Sequence, residues 1–447
     1  MNTAAEASEP LTLRPLSRPF DTTVTPPGSK SLTNRALLLA ALARGTSKLS
    51  GVLFADDTRR MMDGLRALGF TLDADEAACS VTVSGAGGSI PRDTADLSLG
   101  NAGTAVRFLT AACALGEGPY RLDGIARMRE RPIGQLVEPL RELGAEVDYD
   151  GETGFPPLTV HGIEPDPISA LQGGNSVGLV PTLSSQFISA LLQIGPCLVG
   201  GLELTFEGRI TSLPYVKMTL ELMETFGAET AKDRGYAAVR VRGRGYEAAD
   251  YAVEPDASNA TYFLAAAAAT PGATITVPGL GGESLQGDAE FCDLLGRMGC
   301  DVTQRLGHTK VSAPPDGRLW APEVDLNDMP DTAQTLAVLA LFAEGTTVIR
   351  NVGNLRVKET DRLAALKTEL TKLGATVNVT GDDLAVTPPA GGRLTPAAID
   401  TYDDHRMAMS FAVAGLRSEG VTIKDPDCVN KTYPGFWDDL ETLRAGE

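Results

Sequence analysis

Cations placed at the starts of apolar helices are the feature of this sequence best suited to chemistry. Pro27-Gly28-Ser29-Lys30-Ser31-Leu32-Thr33-Asn34-Arg35 leads into the apolar run Ala36–Ala43. A Gly-Ser-Lys-Ser turn at a helix start offers an anion backbone N–H groups, hydroxyls and a cation. It lacks the adjacent Gly-Lys and the earlier glycine of a nucleotide-triphosphate loop. Leu99-Gly100-Asn101-Ala102-Gly103-Thr104-Ala105-Val106-Arg107 has a related form, with two glycines that let backbone approach a ligand closely. Arg127, Arg129 and Arg131 stand at alternate positions before Pro132, a spacing suited to clamping carboxylate or phosphate. Ser184-Ser185-Gln186 precedes another apolar run and can cap a helix or bind phosphate through its hydroxyls.

The second half carries carboxylates as well as cations. Asn327-Asp328-Met329-Pro330-Asp331 precedes a helix expected over Thr332–Ala343 and puts Asp331 in a loop of the kind that carries catalytic groups. Asn354-Leu355-Arg356-Val357-Lys358-Glu359-Thr360-Asp361-Arg362 is rich in charge at a helix start. Asp403-Asp404-His405-Arg406 precedes a helix expected from Met407, and Lys431 lies in Asn430–Pro434. Taken singly, each segment also reads as a cap or a solvated charge.

The formal net charge of -19 sets these cations apart. Such a field repels nucleic acid and anionic membranes, so an anionic substrate needs a local basic pocket. No apolar run approaches the roughly 20 residues of a membrane helix. The polar, acidic start Met1–Pro10 reads as a frayed terminus of a cytoplasmic protein. The six cysteines are scattered and read as small buried apolar residues. Three histidines (His161, His308, His405), with no HExxH or Cys/His set, give no expectation of a zinc site.

The elements that must position these residues repeat. Leu68-Gly69, Leu143-Gly144, Phe226-Gly227, Met298-Gly299 and Leu373-Gly374 each end a helical pattern ahead of a β-like run, at intervals of 75, 83, 72 and 75 residues. Gly45, Gly118, Gly201, Gly272, Gly345 and Gly420 follow Ala/Leu-rich helices at intervals of 73, 83, 71, 73 and 75. A helix that stops at glycine and feeds a strand uses the left-handed cap. Two landmarks in step over a chain of 447 residues predict six α/β units, grouped three and three into two domains. The break falls near Glu254, before a helix N-cap region at Asp256–Asn259, with a matching break at Pro26-Pro27. The expected domains are therefore 1–27 plus 255–447, and an inserted 28–254. Two crossings make a hinge, and the cleft between domains is a favoured place for a ligand.

In this order, Pro27–Arg35, Leu99–Arg107, Ser184–Gln186, Asn354–Arg362 and Asp404–Met409 resemble the 5-enolpyruvylshikimate-3-phosphate synthases of the enolpyruvyl transferase family. The resemblance implies an α/β (α+β) fold of two similar domains. Each would hold three βαβαββ units as an inside-out α/β barrel, with a two-strand hinge between them. It implies transfer of the enolpyruvyl group of phosphoenolpyruvate to the 5-hydroxyl of shikimate 3-phosphate, with release of phosphate and no cofactor. It assigns Lys30, Ser31, Arg35, Ser184, Ser185, Gln186, Ser212, Tyr215, Asp331, Asn354 and Lys358 to shikimate 3-phosphate. Lys30, Asn101, Gly103, Arg131, Gln186, Arg362, Arg406 and Lys431 go to phosphoenolpyruvate. Asp331 is the expected base for the hydroxyl and Glu359 the acid and base at C3, with Lys30 and His405 in support. The small Gly103 implies a tight pocket that also admits glyphosate. A monomer is expected.

Two other readings share the fold. A UDP-N-acetylglucosamine enolpyruvyl transferase carries a Cys shortly before its Arg-Pro pair, whereas Ala126–Glu130 has none ahead of Arg131-Pro132. A non-catalytic anion-binding relative has no need of both Asp331 and Glu359.

Overall fold

The computed structural model describes residues 8–163, 174–180 and 183–445. Its contacts divide the chain into two compact units, 28–254 and the pair of segments that end at Pro27 and begin at Pro255.

In the unit 28–254, strand Ala95–Ser98 runs parallel to Tyr120–Asp123, which pairs antiparallel with Leu158–Ile163, which in turn pairs with Ala145–Tyr149. Helices Gly103–Cys113 and Gly134–Glu142 fill the two connections, so the order of elements is βαβαββ. Asn175–Leu179, Leu202–Phe206, Ala238–Val241 and Thr230–Lys232 repeat the pattern. The third copy is built on Ala43–Ser50 and takes its first strand from the far end of the unit. Tyr246–Glu247 and Tyr251–Ala252 both run parallel to Ala43–Ser50.

The other unit follows the same rule. Glu323–Asp325, Thr347–Arg350, Asp383–Thr387 and Thr376–Thr380 form one complete copy. Asp21–Thr23 supplies the first strand beside Thr274–Pro278. The last copy departs from the regular six: Ala397–Ile399 and Val421–Ile423 are parallel, and Leu11–Thr12 closes that sheet antiparallel to Val421–Ile423.

The helices lie inside. Gly103–Cys113 packs on Lys30–Leu42 and on Ser185–Ile194, and every residue of Gly103–Cys113 is buried. Ala257–Ala269, Ala333–Leu339 and His405–Gly415 pack on one another and are buried throughout. A helix covered on all sides belongs in a core, which is why these segments are mostly apolar and rich in alanine. The strands alternate buried residues with exposed or half-buried ones, as in Ala145–Tyr149 and Asp383–Thr387, so each sheet covers helices with one face. The arrangement is inside-out, but the sheets are open, and among the described residues none closes into a barrel.

All eleven landmark glycines have positive φ, between 73° and 110°. Each sits where a helix must turn back into a strand, a conformation that L side chains resist. The helix ends themselves fall earlier than the second landmark suggests: Lys30–Leu42 stops three residues short of Gly45, which lies inside the strand Ala43–Ser50. The helix before Gly345 is also shorter than expected, Ala333–Leu339, and passes into the 3₁₀ turn Ala340–Phe342.

Cys113, Cys292, Cys300 and Cys428 are buried, but Cys79 is exposed. It occupies a left-handed turn, φ 48°, between strands Thr71–Asp75 and Ser80–Ala86. No helix of the described residues is long and apolar enough to cross a membrane.

Candidate active site

In the unit that contains Pro255 onward, three helix starts converge on one charged cluster. Arg362 opens the helix Arg362–Lys372, which Asp361 caps by accepting the Ala364 N–H. Asp404 caps His405–Gly415 by accepting the Arg406 N–H. Asp331 lies in the 3₁₀ turn Pro330–Thr332, which runs into Ala333–Leu339. The sequence admits Asp331 as a helix cap; its carboxylate is turned instead to cations.

Arg362 is the hub. Its Nε donates to Asp404 at 2.7 Å, one terminal nitrogen reaches Glu359 at 2.8 Å and Asp404 at 3.2 Å, and the other reaches Asp331 at 3.2 Å. Burial by itself would make the guanidinium easier to deprotonate; Asp404, Glu359 and Asp331 together more than reverse this, and its pKa is raised. Arg406 donates to the second oxygen of Asp331 at 2.8 Å and to the Tyr262 hydroxyl at 3.2 Å. Lys431 approaches the second oxygen of Glu359 at 3.2 Å, and Lys358 lies 3.7 Å from Asp331. Asn354 is buried in the 3₁₀ turn Gly353–Val357, and His405 is buried beside Asp404. Thus Asp331 and Glu359 each touch two or more cations, an arrangement that lets them exchange partners when a ligand anion arrives.

A further carboxylate flanks this cluster. Asp288 is buried in the turn Gly287–Glu290 and accepts the Ser258 hydroxyl. Burial, with the negative charge of Asp331 next, pushes its pKa up to about 6.

The unit 28–254 holds its cations differently. Lys30 and Ser31 open the helix Lys30–Leu42, whose cap is Ser29, a hydroxyl that accepts the Leu32 N–H. Gly28 has no room for a side chain, because a Cβ would stand 1.8 Å from the Gly51 carbonyl oxygen. Arg35 is buried and donates to the Thr219 hydroxyl at 2.7 Å, the Ser31 carbonyl at 2.9 Å, the Ser189 hydroxyl at 3.1 Å and the Tyr215 carbonyl at 3.3 Å. Its guanidinium also lies 5.2 Å from the Phe108 ring centroid. Burial lowers its pKa to about 10. Arg35 therefore ties the backbone of Ser31 to that of Tyr215, next to Ser212, which starts the helix Leu213–Thr225 in a left-handed conformation.

Of the three arginines before Pro132, Arg127 pairs with Glu130 and Arg129 with Asp123 near the surface. Arg131 turns inward, is buried, and donates to the side chain of Asn101 at 3.0 Å. Gly103 makes the space: a Cβ there would be 2.4 Å from an Arg131 terminal nitrogen. Ser184 caps Ser185–Ile194 by accepting the Gln186 N–H, Ser185 is buried, and the Gln186 amide reaches the Thr104 hydroxyl at 3.3 Å. A cavity of about 250 Å³ lies between Gly134–Glu142 and the strand Asn175–Leu179. Ser184 lines it, but Arg35, Asn101 and Arg131 do not, so it stands apart from this basic cluster.

Sequence reasoning named Asp404 without a role and missed Ser189 and Thr219. The signal for Ser189 was a polar residue inside a largely apolar helix.

The family model for EPSP synthase (3-phosphoshikimate 1-carboxyvinyltransferase) matches residues 16–440. The chain belongs to the EPSP synthase family. It is 49% identical to a 3-phosphoshikimate 1-carboxyvinyltransferase of Laribacter hongkongensis, over 95% of this chain and 97% of the relative. It is 45% identical to a chloroplastic 3-phosphoshikimate 1-carboxyvinyltransferase of Brassica napus, over 99% of this chain and 86% of that protein. A solved EPSP synthase from Acinetobacter baumannii superposes with a TM-score of 0.79 at 25% identity, covering 98% of both chains.

Proposed function

We propose that the protein transfers the enolpyruvyl group of phosphoenolpyruvate to the 5-hydroxyl of shikimate 3-phosphate, releasing phosphate. The observation that carries the chemistry is Asp331, a carboxylate placed among Arg406, Arg362 and Lys358. Both substrates are anions, and fixed cations offset their repulsion and align them.

In this reading the 5-hydroxyl oxygen attacks C2 of phosphoenolpyruvate and passes its proton to Asp331, while C3 takes a proton from Glu359. The tetrahedral adduct then breaks its bond to the phosphate oxygen as C3 returns a proton to Glu359, restoring the double bond. Glu359 bridges Arg362 and Lys431, and such neighbours favour the carboxylate form. Substrate carboxylate and phosphate compete for those same cations, which frees Glu359 to hold a proton and Asp331 to accept one. Arg406, Arg131, Gly103 and Asn101 are also proposed for phosphoenolpyruvate, and Lys30 and Gln186 for both substrates. Ser184, Ser185, Ser212, Tyr215 and Ser31 are proposed for shikimate 3-phosphate, with Asn354 and Lys358. Arg35 serves that group by fixing Ser31 and Tyr215. His405 supports proton movement from beside Asp404. One chain carries every residue needed, so the active form is proposed as a cytoplasmic monomer.

Phosphate release from phosphoenolpyruvate tests the reading, with shikimate 3-phosphate and UDP-N-acetylglucosamine as alternative acceptors. Turnover with the first alone is expected; turnover with the second alone would overturn it.

A further inference from the structure

The residues just ahead of Asp404 are strained. Tyr402 and Asp403 have φ of 57° and 54°, two successive non-glycine residues in the left-handed region. Such a conformation is costly for a residue with a side chain and persists only where its surroundings impose it. Tyr402 is 40% exposed, so packing of its ring is a weak constraint. The Asp404 N–H closes the turn by donating to the Thr401 carbonyl at 3.0 Å, and the Tyr402 hydroxyl adds a second tie by donating to Glu369 at 2.7 Å.

Glu369 is fully buried and is the fixed end of this contact. One oxygen accepts from Tyr402; the other accepts the Asp400 N–H at 3.1 Å and the Lys372 ammonium at 2.6 Å. Glu369 stands on the helix Arg362–Lys372, two turns, or about 10 Å, beyond Arg362. The same helix thus grips the segment 400–406 twice, through Glu369 at Asp400 and Tyr402, and through Arg362 at Asp404.

We infer that Tyr402 and Glu369 are positioning residues that hold this left-handed turn, and so fix Asp404 and Arg406 for the binding of phosphoenolpyruvate. The inference rests on the enolpyruvyl-transfer reading. Loss of the Tyr402 hydroxyl leaves the strain opposed only by backbone bonds, Asp404 N–H to Thr401 and Asp400 N–H to Glu369, and lets Arg406 drift from the position it holds against Asp331.

Tyr402→Phe is expected to raise the KM for phosphoenolpyruvate about ten-fold, the loss typical of a hydrogen bond to a charged partner, with kcat and the KM for shikimate 3-phosphate changed less than about two-fold. Tyr402→Gly loses the same hydroxyl but adopts positive φ without strain, so its KM should return to within about three-fold of wild type. An unchanged KM in Tyr402→Phe, or equal damage in the glycine variant, overturns the inference. Wild-type turnover with shikimate 3-phosphate is the separate check on the reaction. Amide hydrogen exchange over 401–406 reads the turn without turnover: faster exchange in Tyr402→Phe than in wild type is expected, and equal exchange refutes the positioning role.

Discussion

Arg35 and Arg362 are both buried guanidinium groups, yet their protonation is shifted in opposite directions. Arg35 is held by two hydroxyls and two carbonyls, with no carboxylate partner among the described residues, and burial lowers its pKa to about 10. Arg362 meets Asp404, Glu359 and Asp331, and its pKa is raised despite the same burial. One unit of the protein stores a nearly uncompensated positive charge; the other stores charge that is already neutralised. The first is poised to gain from any anion that approaches it. The second must exchange internal partners for external ones, which suits carboxylates that have to change protonation during a reaction. On the proposed reading, the acid–base groups Asp331 and Glu359 lie in the second of these clusters.

The largest effect should come from the shared carboxylate. Asp331→Ala is expected to lower kcat about a thousand-fold, within the usual range for a lost general base, while calorimetric affinity for phosphoenolpyruvate stays within a few-fold. Near-normal phosphate release would remove Asp331 from the proton-transfer role. Next comes stability. Arg362→Met removes the cation shared by buried Asp404, buried Glu359 and half-buried Asp331, and should cost about 3–5 kcal/mol in denaturant unfolding. Arg35→Met leaves only neutral partners, of which Ser189 and Thr219 already bond each other at 2.8 Å. Its loss should be less than half as large, and equal losses would erase the contrast between the two sites.

Asp288 sharpens the picture through pH. Its pKa rises from 3.8 to about 6 on folding, so between those values the native state binds more protons than the unfolded state. Stability conferred by this group is full below pH 4 and is lost as pH rises through 6. Asp288→Asn should then gain about 2–3 kcal/mol over wild type at pH 7.5 and nothing near pH 4, by unfolding curves at each pH. A pH-independent difference would show that folding leaves the Asp288 pKa unshifted. The smallest effect is expected from Gly103→Ala. Its methyl would stand 2.4 Å from Arg131, and displacing that guanidinium should raise the KM for phosphoenolpyruvate about ten-fold, in keeping with a mild overpacking cost. A KM equal to wild type would detach Arg131 from this substrate.

Much of the fold was legible because glycine and alanine leave a strong trace. The landmark glycines recur because each unit needs a left-handed turn at the same place, and the core helices read as apolar runs because they are covered on every side. Strand exchange was legible only as a grouping: the breaks at Pro26-Pro27 and Glu254 put the N-terminal strand with residues 255–447, but not beside any particular strand. Leu11–Thr12, Asp21–Thr23 and Tyr246–Ala252 are short strands whose partners lie far along the chain, and local pattern carries no information about distant pairing.

For the site, residue type and position at helix starts marked Lys30, Arg131, Asp331, Glu359, Arg362 and Arg406 as candidates. The sequence alone determined which cations and carboxylates stand at helix ends, since capping and helix starts are local properties of a few adjacent residues. Tertiary structure alone decided which of them meet. It turned Arg131 inward and left Arg127 and Arg129 near the surface, made Arg35 a brace for Ser31 and Tyr215, and set Asp404 against Arg362. Those outcomes depend on distances between segments tens to hundreds of residues apart, and only the packing of the helices fixes them.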